Sequence, residues 1–181
     1  MRKSWMLVAA VLSGCGAGQS PELYDLVVDY FTLPDSCYQS GMQPSTVATA
    51  VPPRLMQVQI WDSAEGIAYL EVQGAGTTVD MGAAPNVSIS GVFSTPKRGD
   101  KGWTFGSDTV EKQTLPGNNV ITVTTHAELT FERTPQFKGT AALSSSHNCV
   151  GNQCPGTNPS CGVSGIVVHG TRLQVDYQRA P

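Results

Sequence analysis

Val120–Arg133 reads VITVTTHAELTFER, and this stretch decides the fold. Ile121, Val123, Ala127, Leu129 and Phe131 fall on one parity, while Thr122, Thr124, His126, Glu128, Thr130 and Glu132 fall on the other. A period of two sends alternate side chains to opposite faces of a strand, whereas a helix would scatter these residues around its circumference. The stretch therefore predicts a half-buried antiparallel strand. Ile121, Val123, Leu129 and Phe131 are expected in the core and Thr122, Thr124, Glu128 and Thr130 outside it.

The same alternation recurs at Arg54–Trp61, Ile67–Gln73, Asn86–Phe93, Trp103–Thr114, Gln136–Ser146 and Val163–Gln178. Between these runs lie DSAEG (62–66), GAG (74–76), GAAP (82–85), TPKRGDKG (95–102), LPGNN (115–119) and Thr134-Pro135. Gly, Pro, Asn and Asp supply the backbone angles that chain reversals need, and short connections imply antiparallel neighbours. Tyr24–Leu33 fits a further strand or a two-turn helix, with the strand favoured, and Pro34 ends either one. The expected fold is all-β: an antiparallel meander of about eight strands, closing as a lipocalin-like barrel or folding as a β-sandwich so that its edges are protected.

The N-terminus reads differently. Arg2 and Lys3 precede an apolar run from Trp5 to Leu12, and Leu12-Ser13-Gly14-Cys15 follows. Eight apolar residues fall well short of the ~20 needed to span a bilayer core, and basic, apolar and small segments in that order make a secretory signal. L-S-G-C resembles the lipobox of bacterial lipoproteins. That resemblance implies cleavage before Cys15 and a diacylglyceryl group on its sulfur, so that the acyl chains bind the protein to a bilayer. The expected organisation is a signal peptide over 1–14, a lipidated tether over 15–21 and a single β domain over 22–181. Gly16 after the cysteine, where Asp would imply inner-membrane retention, points to the outer membrane.

Cleavage would leave 167 of the 181 residues, with 9 basic against 14 acidic side chains and a net charge of −5. A mildly acidic domain without a dense basic patch is a poor partner for nucleic acid.

Of the five cysteines, the lipobox takes Cys15 and leaves Cys37, Cys149, Cys154 and Cys161. An even number in an exported chain reads as two disulfides. The spacing in HNCVGNQCPGTNPSC, with His147 nearby, lacks the paired C-x2-C knuckles of structural zinc sites. The preferred pairing is Cys149 with Cys161 across the base of a hairpin, and Cys37 with Cys154 at its tip.

No catalytic motif stands out. His126, His147 and His169 lack metal-ligand spacing, so neither a metal nor another cofactor is expected. Gly162-Val163-Ser164-Gly165 lacks the second spacer of a nucleophile elbow, and Arg98-Gly99-Asp100 fits a turn before it fits a receptor motif. Trp61, Tyr69, Phe93, Trp103, Phe105, Phe131 and Tyr177 read as core, with the mouth of a ligand cavity as the alternative. The functional expectation is a lipid-anchored binding or structural module of the cell envelope whose partner is an envelope protein, a glycan or a small apolar ligand. The rivals are an exported hydrolase whose site is assembled only by tertiary folding, and a carrier of small apolar ligands.

Overall fold

The computed structural model describes residues 21–38, 50–63, 65–95, 102–132, 134–154 and 158–174. Cys15 with the whole signal and lipobox, Arg98-Gly99-Asp100 and Tyr177 lie outside these residues.

The strands are β1 (Glu22–Val28), β2 (Phe31–Thr32), β3 (Ala50–Val51), β4 (Arg54–Asp62), β5 (Ala68–Val79), β6 (Val87–Thr95), β7 (Trp103–Leu115), β8 (Asn119–Glu132), β9 (Gln136–Val150) and β10 (Ser160–Leu173). β2 and β3 form a small separate ladder, and the other eight build one antiparallel sheet in the order β6-β5-β4-β1-β10-β9-β8-β7. Because β10 returns to pair with β1, that order is a meander wrapped on itself. β6 and β7, its two ends, come beside each other, and the sheet is nearly closed into a barrel. Closure shelters apolar parity on every strand at once, as the length and number of half-apolar strands require.

Inward rows run down each strand: Tyr24, Leu26 and Val28 on β1, Val58 and Ile60 on β4, Leu70 and Val72 on β5, and Ile166 and Val168 on β10 are all buried. The outward parity is mostly polar, with Gln57 donating to Asp25, Gln73 to Gln59, and Thr104 paired with Thr130, although Leu55, Val92 and Val167 are also exposed on it. Trp61 stacks on Tyr69 on the outside, with ring centroids 5.5 Å apart.

One end of the barrel is filled by aromatic rings. Phe131 stacks on Phe137 with centroids 4.3 Å apart, Tyr24 meets Phe137 edge-on, and Phe105 and Trp103 extend the stack. Gly139 makes this possible. A β-carbon there would lie 2.5 Å from the Thr130 carbonyl oxygen and 2.7 Å from the β-carbon of Phe131. Without one, β8 and β9 stay paired while both rings sit inside.

Three expectations are corrected. Gly74-Ala75-Gly76 is a bulge inside β5 and no turn: pairing with β6 passes from Val72↔Gly91 to Thr77↔Ile89, with Gly74 and Gly76 at φ of 75° and 71°. The extra residues shift the inward parity from Leu70 and Val72 to Thr77 and Val79. In β8, Ala127 and Phe131 are buried and Leu129 packs against the core, but Ile121 and Val123 are only half-buried, because β8 runs on past the barrel wall.

The third correction concerns the disulfides, which join Cys37 to Cys161 and Cys149 to Cys154. β9 continues to Val150, and the register sets Cys161 opposite Ser145, four positions from Cys149. At ~3.3 Å per residue those two cysteines are too far apart to bond. Cys161 is buried on the barrel-side face instead, where it meets Cys37 of the short 3-10 turn Asp35–Cys37, and Cys149 closes on Cys154 around the hairpin tip.

Candidate functional site

Above the aromatic plug the inward rows surround a partly open cavity of about 50 Å³. Every strand of the large sheet contributes to its lining or to its floor. Val28, Met56, Val58, Leu70, Val72 and Val79 form one wall, and Ala127, Leu129, Ala141, Leu143, Ile166 and Val168 form the other. Phe93 and Phe105 belong to the floor, while Phe31 reaches in from β2. Polar residues along it are few: Thr77, Arg54 and Glu128.

Alternation decides where the two charged side chains lie. Glu128 falls between Ala127 and Leu129, on the parity shared with Thr130 and His126, so its carboxylate belongs to the outer face. Arg54 is the first residue of β4 and shares the inward parity of Met56, Val58 and Ile60. Its strand neighbour is Val28, itself part of the lining, and the Arg54 side chain is exposed. The guanidinium therefore stands at the rim, at the end of the barrel opposite the aromatic plug.

The segment beyond β2 is held against that same end. Leu33 and Cys37 are buried, the Cys37–Cys161 bond ties the turn to β10, and the Ala83 N–H donates to the Cys37 carbonyl at 2.8 Å. This stitches the chain before β3, the β5–β6 connection and β10 into one collar. Tyr38, on the collar, has its phenol pKa raised by desolvation and then by the nearby charges of Asp80 and Asp35.

The residues singled out from sequence divide clearly. Cys37, Cys149, Cys154 and Cys161 form two disulfides, of which one braces the collar and the other the exposed tip. Phe93 and Phe105 line the cavity, Phe131 and Trp103 belong to the plug, and Trp61 and Tyr69 lie outside. Ser164-Gly165 forms a bulge in β10 between Val163 and Ile166 and is exposed. Ile89, Met56, Val58 and Ala141 were not singled out as cavity residues, although strand parity, read together with closure, assigns them to the interior.

A polar row crosses the outer face, with Asp108 opposite His126 and His126 opposite Ser144. The His126 ring turns toward β7, its Nδ1 2.7 Å from Asp108 Oδ1, and among the described residues it makes no hydrogen bond to Ser144. Asp108 is largely exposed, so the row lacks the water-excluded setting that nucleophilic catalysis needs. Among the described residues no group of three His, Cys, Asp or Glu side chains is placed to hold a metal ion. Scans against protein-family models, curated proteins and solved structures match nothing to this chain.

Proposed function

We propose that the chain is an exported lipoprotein of the cell envelope, anchored through acyl chains on Cys15, and that its barrel binds a small apolar ligand rather than transforming it. The observation that carries the binding half is the cavity, concave and walled by aliphatic side chains above a filled aromatic floor. Burial of an apolar ligand there gains roughly 25 cal/mol per Å² removed from water, and a lining preformed by eight strands needs little reordering to receive it. The lipobox supports the anchor, and two disulfides suit an oxidising compartment.

Mass spectrometry of the chain extracted from bacterial envelopes tests both halves. The denatured mass is expected to fit a chain starting at Cys15 with added acyl groups, and the native mass to exceed it by a non-covalent guest lost on unfolding. An unmodified chain that retains Met1 removes the anchor. Native protein that never carries a guest, even after incubation with apolar compounds, removes the binding role.

A further inference from the structure

Arg54 gives the cavity a chemical preference. Resting on the apolar-ligand reading above, we infer that the natural guest is a single-chain amphiphile with an anionic head, a carboxylate of fatty-acid type, held with its chain in the barrel and its head on Arg54. Three observations meet at this point. Arg54 continues the inward row Met56, Val58 and Ile60, so its side chain leaves the strand on the cavity side. Among the described residues no carboxylate lies within 4.0 Å of it, whereas the carboxylates of neighbouring β1 and of the residue after it are engaged elsewhere: Glu22 with Arg172, Asp25 with Gln57, and Asp29 with His169. The remaining lining is aliphatic and aromatic apart from Thr77 and the outward-facing Glu128.

A cation at the rim of an apolar well sorts ligands by their ends. A neutral guest gains only burial, while a carboxylate also accepts charge-assisted hydrogen bonds from the guanidinium fork. A long chain with a cationic head is disfavoured by the same charge. Because Arg54 is exposed, water and salt screen the attraction, and the preference belongs nearer to that of an exposed ion pair than a buried one.

The test is a titration of the oxidised full chain with dodecanoate and with its methyl ester, on wild type, Arg54→Gln and Arg54→Lys. Wild type is expected to bind the carboxylate about fivefold more tightly than the ester. Arg54→Gln is expected to abolish that preference without weakening ester binding, and Arg54→Lys to keep most of it. Raised salt should narrow the wild-type gap. Equal binding of acid and ester by wild type, or a preference that survives Arg54→Gln, overturns the role of Arg54 while leaving the cavity reading in place. Binding of neither compound overturns both.

Discussion

Removing the Cys37–Cys161 bond should cost the protein far more than removing the Cys149–Cys154 bond. The two cross-links span 124 and 5 residues of sequence, respectively. In the chain-entropy model the constraint on the unfolded state grows with the logarithm of the loop, which gives about 5 kcal/mol for the long bridge and about 2 kcal/mol for the short one. The gap of about 3 kcal/mol is widened by position. Cys37 and Cys161 are both buried in the collar, whereas Cys149 and Cys154 are only half-buried at the hairpin tip. Guanidinium unfolding of Cys37→Ala/Cys161→Ala and Cys149→Ala/Cys154→Ala, followed by tryptophan fluorescence, reads the difference directly. At roughly 2–4 °C per kcal/mol for a domain of this size, the melting temperatures should separate by about 6–12 °C. Equal losses, or a greater loss from the tip pair, would refute the reasoning, as would peptide mapping that joins Cys149 to Cys161.

Other expectations follow from single atoms. Gly139→Ala places a methyl against the Thr130 carbonyl and the Phe131 β-carbon, so β8 and β9 must part, and denaturant unfolding should show a loss of about 2 kcal/mol or more. Ser145 Oγ is buried and finds no partner among the described residues, so Ser145→Ala should raise stability by about 1 kcal/mol in the same assay. Cys15→Ser should release the chain from membrane fractions or leave an uncleaved precursor, and palmitate labelling that persists in this variant would contradict lipidation at that sulfur.

Much of the fold was legible because strand parity is a local property. Each of the eight strands of the large sheet overlaps a run read from the alternation, although Tyr24–Leu33, favoured as one strand over a helix, divides into β1 and β2, and Ala127 and Phe131 face the core as the reading of 120–133 requires. Parity reports a face, however, and not how far the barrel wall extends, which is why Ile121 and Val123 are half-exposed on the overhanging part of β8. Glycines at positive φ serve bulges and turns alike, so Gly74-Ala75-Gly76 carried no local sign that β5 continues to Val79. The disulfide pairing depended on hairpin register: extending β9 to Val150 moves Cys149 past Cys161, and nothing in the spacing of the cysteines encodes that shift. Arg54 stands in the sequence as one more charged residue at a strand start. Its meaning depends on closure, which turns the parity of Met56 and Val58 into the inside of a cavity.

The central claim is that the barrel holds an apolar guest, and one titration bears on it most directly. Wild-type protein and Ala141→Phe, which places a ring in the cavity, are titrated with a naphthylamine fluorophore that brightens in apolar surroundings, after unfolding curves have shown both to be folded. The account predicts saturable one-to-one binding by wild type and its loss in Ala141→Phe. Fluorescence that never saturates, or that saturates equally in both proteins, would contradict it.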